Sequence, residues 1–366
     1  MTNATAPIPQ PGILDIAPYV AGKSKTASGK PPIKLSSNEN PLGCSPKALE
    51  AYARATTLHR YPDSAHTALR EAIGAAHNLP ANQLICGAGS DELIHMLTQA
   101  YVGEGDEVLM SRHGFLMYPI SAKSVGATVV MADERDLRAD VDALLAKVTA
   151  KTKILFLANP NNPTGTYLSA VEVARLHAGL PKSCILAIDG AYAEYAAADD
   201  YTDGRELVAA HSNVIMLRTF SKVYGLPALR LGWAYAPEAM IDVLNRIRGP
   251  FNLSTPAIEA GIAAVQDQTF VQASIAHNAQ WREWLSQTLG QMGLKVYPSL
   301  GNFILVQFPA GSAHTPAGAN VFLTEQNIII REVANYGLPD CLRITIGTEA
   351  ENHAVADALQ RYLGAQ

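Results

Sequence analysis

Seven short apolar runs, separated by stretches of helical spacing, dominate the first two-thirds of the chain. They are Leu84-Ile85-Cys86, Glu107-Val108-Leu109-Met110, Thr128-Val129-Val130, Ile154-Leu155-Phe156-Leu157, Ile185-Leu186-Ala187-Ile188, Val214-Ile215-Met216-Leu217 and Leu231-Gly232-Trp233-Ala234-Tyr235. Runs this continuous belong to strands buried on both faces, the pattern of a mostly parallel sheet covered by helices. The helical stretches fit between them. Ser45 caps one that has Pro46 at its first position, and others cover 68–76 and 92–101. The pattern changes after residue 250. A helical stretch over 255–290 is too long for one ordinary globular helix. Shorter apolar runs follow at 303–306, 328–330 and 342–345, with a last helix over 349–362. The sequence thus predicts an α/β protein, a mostly parallel central sheet with helices on both faces plus a smaller α+β domain. Residues 1–45 form an N-terminal arm associated with the small domain, 46–255 the large α/β domain and 256–366 the small C-terminal domain.

Composition narrows the function classes. Hydrophobic residues make up 48% of the 366 and charged residues 17%, enough to bury a sizeable core. The net charge of −5 disfavours general binding to nucleic acid or anionic membrane. The four cysteines, Cys44, Cys86, Cys184 and Cys341, lie far apart with no CxxC pair, which fits a reducing, cytoplasmic setting. Residues 1–11 carry neither the basic nor the apolar part of a secretory signal, and no apolar stretch approaches a membrane span. Ten histidines occur without HExxH or a close His/Cys cluster, so no metal site is expected.

In an open parallel sheet, ligands bind at the carboxyl ends of the strands. Asp189 directly follows 185–188, Asn159 to Gly165 follow 154–157, and Ser221-Lys222 follow 214–217. Gly87-Ala88-Gly89-Ser90-Asp91 opens a helix, where unpaired amides suit a phosphate, although neither a P-loop nor a full GxGxxG is present. Each alone is an ordinary turn; their convergence on one sheet edge carries the argument. Arg230, eight residues after Lys222, can neutralise the same anion. A phosphate-bearing group beside a lysine and a buried carboxylate suggests pyridoxal phosphate. The lysine would form the Schiff base and the carboxylate would keep the pyridine nitrogen protonated.

Further motifs stand in order along nearly the whole chain: Pro18-Tyr19, Leu35 to Pro41, Tyr61-Pro62, Gly87 to Glu92, Asn162 to Gly165, Asp189-Gly190-Ala191-Tyr192, Thr219-Phe220-Ser221-Lys222, Leu229 to Gly232 and Leu342 to Thr348. Their order and spacing resemble the pyridoxal-phosphate-dependent aminotransferases of fold type I, and within them the histidinol-phosphate aminotransferase family. The resemblance implies that Lys222 holds pyridoxal 5'-phosphate and then moves the proton between substrate carbon and cofactor. Asp189 would pair with the pyridine nitrogen, and Asn162 and Tyr192 would bond the ring hydroxyl oxygen. Phe115 would stack on the ring. Ser90 and Asp91 amides, Thr219 and Ser221 hydroxyls and Arg230 would hold the phosphate. Tyr61 would reach the phosphate in the neighbouring subunit, making a homodimer with shared active sites. Arg343 would clamp the carboxylate of glutamate, Arg331 would be a second arginine, Asn38 and Asn302 would assist, and Tyr19, Phe115 and Tyr118 would wall the imidazole. The implied substrates are histidinol phosphate, glutamate and 2-oxoglutarate.

The chain departs from that family at His113-Gly114-Phe115, where many members read Pro-Thr-Tyr, and at Gly190, where a Glu is frequent. These departures loosen the substrate assignment and leave every catalytic group in place. An aromatic-amino-acid aminotransferase and, less favoured, a threonine-phosphate decarboxylase share the scaffold. A non-catalytic binding protein is disfavoured by the retained trio Lys222, Asp189 and Arg230.

Overall fold

The computed structural model describes residues 7–18, 23, 25–27 and 29–364. Its central sheet has seven strands in the spatial order Leu84–Gly87, Gly232–Tyr235, Val214–Thr219, Ile185–Asp189, Thr152–Ala158, Glu107–Ser111 and Thr128–Ala132. All run parallel except Gly232–Tyr235, which is antiparallel to both its neighbours. Successive side chains on a strand point to opposite faces, and the core divides accordingly. Leu155, Leu157, Leu186, Ile188, Val214 and Met216 pack on one face. Ile154, Phe156, Ile185, Ala187, Ile215 and Leu217 pack on the other.

Each face carries its own helices. Thr67–His77, Ala170–Ala178 and Thr255–Gln266 cover the first, through residues such as Leu69, Ile73, Val173 and Ile258. Ser90–Tyr101, Met117–Ser124 and Glu238–Ile247 cover the second, through Leu93, Leu97, Tyr118 and Leu244. The expected cap is present: Ser45 accepts the Lys47 and Ala48 amides at the start of Pro46–Arg54. The long helical stretch divides at Asp267, whose carboxylate accepts the Ser45 hydroxyl at 2.6 Å and pairs with Lys47 at 3.2 Å. Thr255–Gln266 remains on the large sheet. Gln268–Gln291 leads away and buries Trp281, Leu285 and Leu289 in a second core.

That second core backs a four-stranded antiparallel sheet in the order Lys295–Val296, Phe303–Gln307, Cys341–Thr345 and Arg331–Glu332. Ile33–Lys34 of the N-terminal arm pairs in parallel with Ile328–Ile329, and Leu35 enters the same core. Arm and C-terminal segment therefore form one layer over the carboxyl edge of the large sheet. No helix among the described residues is long and apolar enough to cross a membrane.

Register sets that edge. Asp189 stands opposite Ala158 and Leu217, and Gly232 stands between Gly87 and Thr219. Gly232 has to be glycine, because a Cβ there would lie 2.4 Å from the Ser90 amide nitrogen. Behind the edge, buried Arg218 bonds Glu194 at 2.7 Å and Asp203 at 2.8 Å, tying the segment after Asp189 to the strand before Lys222. Arg218→Met removes the ion-pair partner of buried Glu194 and one of the two arginines on Asp203, which keeps Arg205 at 2.7 Å, and is expected to cost about 3–5 kcal/mol in urea unfolding. A cost below about 1 kcal/mol contradicts the tie.

Candidate active site

A cavity of about 420 Å³ opens where the carboxyl edge meets the second layer. At one end Gly89 (φ 83°) starts the helix Ser90–Tyr101 without a side-chain cap, so the first-turn amides keep no such partner. Ser221 and Arg230 converge there. Arg230 adopts φ 50° and reaches Ser221 Oγ at 3.4 Å and the Asp91 carboxylate at 2.9 Å. Thr219 accepts the Ser221 amide at 3.1 Å. Ser90, Asp91, Thr219, Ser221 and Arg230 all line the cavity. Helix amides, hydroxyls and a guanidinium at one point make a seat for a multiply charged anion.

Lys222 and Asp189 stand beyond that seat. Lys222 Nζ lies 5.6 Å from the centre of the Tyr192 ring. Burial, and secondarily the charge of Arg343, bring its pKa down to about 8, so part of the amine is neutral near physiological pH. Asp189 is buried, and burial pushes its carboxyl up to about 6. It still receives two bonds, from Tyr118 Oη at 2.7 Å and from the Ala191 amide at 3.1 Å. Tyr118 was expected beside a substrate ring. It lines the cavity, held fully buried by the inner face of Met117–Ser124, stacked on Phe156 at 4.5 Å with its hydroxyl on Asp189. Phe115 meets Tyr118 edge-on at 5.7 Å and lines the cavity as expected.

A hydrogen-bonded set defines the remaining wall. Asn38, in the left-handed region at φ 56°, donates through Nδ2 to Tyr192 Oη at 2.8 Å. With that lone pair engaged, the Tyr192 proton is free to be donated elsewhere. Arg343 donates to Asn162 Oδ1 and, at 2.8 Å, to the Ser36 carbonyl. Asn162 thereby offers its NH₂ to the cavity. Arg331 lines the same cavity and stands directly opposite Arg343 on the neighbouring strand.

Two further expected residues, Asn302 and Tyr61, lie off the lining of this cavity. Asn302 lies one layer back and supports the arm, donating to the Asn38 and Glu39 carbonyls at 2.9 and 3.3 Å. Tyr61 is 82% exposed and stacked on Phe251 at 4.4 Å, away from the lining of its own chain's cavity. Tyr19 lies outside the described residues. Tyr336, Lys34 and Ser36 also line the cavity. Sequence reasoning gave none of them a site role, because each reaches the cavity only through packing of the second layer.

The model for aminotransferase class I and II matches residues 30–359, and the chain belongs to that family. Histidinol-phosphate aminotransferase of Paramagnetospirillum magneticum is 56% identical over 362 residues, covering 99% of this chain and all of that one. The enzyme of that name from Rhodospirillum rubrum is 53% identical over 367 residues, covering all of both. Among solved structures, histidinol-phosphate aminotransferase from Sinorhizobium meliloti in complex with pyridoxal-5'-phosphate superposes with a TM-score of 0.86. It shares 28% identity and covers 93% of this chain and 92% of that one.

The Asp189 carboxyl is raised from 3.8 to about 6 on folding, so the folded chain binds the proton more tightly than the unfolded one. Stability contributed by its neutral form is lost as pH rises through that window. Asp189→Asn is therefore expected to stabilise the ligand-free protein by roughly 1–3 kcal/mol at pH 8. The gain should fade as pH drops from about 6 to about 4. Thermal unfolding across that range checks it, and a gain that grows on acidification contradicts the assignment.

Proposed function

We propose that the chain is a histidinol-phosphate aminotransferase, moving an amino group between glutamate/2-oxoglutarate and imidazole-acetol phosphate/histidinol phosphate on pyridoxal 5'-phosphate. The observation that carries this reading is the pair Arg331 and Arg343, directly opposite on adjacent strands and lining one cavity with Lys222 and Asp189. Two guanidinium groups lining one cavity suit a substrate anion, whether a carboxylate or a phosphate.

The donor set fits the cofactor. Helix amides at Ser90 and Asp91 with Thr219, Ser221 and Arg230 suit its phosphate, and the buried Asp189 carboxylate suits a protonated ring nitrogen. Phe115 supplies an aromatic face, while Asn162 and Tyr192 supply donors for the ring oxygen. Bound there, pyridoxal phosphate supplies an aldehyde that takes up amines and a ring that accepts electron pairs. Lys222 Nζ would hold the group and would carry a proton to and from the reacting carbon. Its pKa of about 8 suits both tasks. Asp189, oriented by Tyr118 and the Ala191 amide, holds a proton on the ring nitrogen. Asn38 keeps the Tyr192 hydroxyl aimed. Arg343, fixed by Asn162 and the Ser36 carbonyl, orients the substrate.

The working unit is a homodimer in the cytoplasm. Leu49, Leu58 and Tyr61 are exposed at 61%, 73% and 82%, with Phe251 beside Tyr61. A second copy covers such a surface and would receive Tyr61 at its phosphate seat.

Single-turnover absorbance of the cofactor-loaded protein tests the activity. Histidinol phosphate and glutamate should convert the cofactor rapidly, and phenylalanine, tyrosine and threonine phosphate slowly. Rapid conversion by phenylalanine or tyrosine without histidinol phosphate moves the function to aromatic substrates. Release of carbon dioxide from threonine phosphate makes it a decarboxylase. For the shared site, Tyr61→Phe should weaken cofactor retention by about three- to tenfold, the worth of one hydrogen bond to a charged group. A wild-type protein fully active as a monomer in sedimentation overturns the sharing.

A further inference from the structure

We propose that His113 and Glu134 form a clamp that positions Phe115 in the active-site wall and ties that wall to the second layer; the inference rests on the cofactor reading above. Both oxygens of one carboxylate grip one residue. Glu134 Oε1 accepts the His113 backbone amide at 3.1 Å, and Oε2 accepts His113 Nδ1 at 2.8 Å. The two side chains are 2% and 11% exposed, so the pair is shielded from competing water. A carboxylate oxygen only accepts, so Nδ1 is the donor in this pair.

The clamp is anchored on a hairpin. Glu134 belongs to Glu134–Arg135, which pairs with Arg138–Ala139, and the flanking Arg112 pairs with Asp133. A second hold comes from Asn161, whose Nδ2 donates to the His113 carbonyl at 3.2 Å. Asn161 immediately precedes Asn162, which meets Arg343. His113 thus has its amide, side chain and carbonyl all fixed.

Three surfaces meet at this residue. Two positions on, Phe115 lines the cavity and packs edge-on against Tyr118, which bonds Asp189. On the other side the imidazole edge abuts Gly337. A Cβ added there would lie 3.6 Å from Nε2, and Gly337 itself sits at φ 83° as it ends the turn Ala334–Tyr336. Tyr336 lines the cavity too. Rotation of His113 would therefore shift an aromatic wall residue on each layer. Such displacements weaken binding without touching the reacting groups. His113 and Glu134 are positioning residues and make no contact with the reacting atoms.

The test compares His113→Leu, which removes the donor, with His113→Asn, whose amide nitrogen replaces Nδ1, and with Glu134→Gln. In ligand-free protein, hydrogen exchange over 111–118 should accelerate in His113→Leu and Glu134→Gln, while 214–219 stays protected. The Kd for pyridoxal phosphate, from titration of ligand-free protein, should rise about three- to tenfold in both, as expected for a lost charge-assisted bond. KM should rise more than kcat falls. His113→Asn should stay within about twofold of wild type, and the double variant should be no worse than His113→Leu, because both remove one bond. Wild-type exchange over 111–118 in His113→Leu overturns the clamp. So does faster exchange with unchanged cofactor affinity, or fully additive effects in the double variant. Wild-type protein that takes up no pyridoxal phosphate overturns the cofactor reading instead, and the exchange measurement still decides the clamp.

Discussion

A single carboxylate buried at the end of a sheet governs the arrangement around it. Asp189 closes the strand Ile185–Asp189 at the middle of the sheet, flanked by parallel strands on both sides. Little of it is exposed to share its charge with water, so its environment has to be built. The Tyr118 hydroxyl and the Ala191 amide supply two bonds. They leave the carboxyl well above its ordinary range, because burial outweighs them. A positively charged partner in the cavity satisfies what remains. The ligand-free fold thus carries an unfavourable charge that binding relieves, a familiar relation between stability and function. Lys222 shows the converse, an amine kept partly neutral by burial and by Arg343.

The two layers divide the work. The large sheet contributes the anion seat, Asp189 and Lys222, all on or next to strand ends whose register is fixed by hydrogen bonding. The second layer contributes Arg331, Arg343, Tyr336 and the arm residues Lys34, Ser36, Ser37 and Asn38. Chemistry is therefore held by the rigid sheet, while recognition of the substrate's charged end falls to a layer that packs against it. Asn38 bridges the two, bonded to Thr345 on one side and Tyr192 on the other.

Much of the large sheet was legible because its strands are buried on both faces and read as unbroken apolar runs. Asp189 was legible for the same reason, as a charged residue directly after such a run, while Lys222 and Arg230 were legible from the segments next to two other runs. The reversed direction of Gly232–Tyr235 was not, since four residues carry no sign of orientation. Tyr118 was noticed but given a different partner, because a helix's rotation about its axis decides whether its hydroxyl meets a substrate or a carboxylate. Asn302 was placed one layer too near for a similar reason; its run was visible, but the arm that intervenes was not. Tyr336 left no signal, as it reaches the cavity from a short turn whose position depends on the whole second layer. The break at Asp267 was half legible: the length of 255–290 required one, but the Ser45 contact that marks the point comes from 222 residues away in sequence.

The pairing of Ile33–Lys34 with Ile328–Ile329 has a bearing on how the chain is made. The partners lie roughly 300 residues apart, so closing that contact fixes nearly the whole polypeptide into one loop. During synthesis the arm emerges well before its partner strand. The large sheet, with strands confined to 84–235, has all its material much earlier. The arm with its apolar Leu35 must wait, unpaired, beside a nearly finished sheet. The arm is then seated only after the segment around 328–329 has been made, and the pocket, which Ser36 and Asn38 line, is completed after the large sheet.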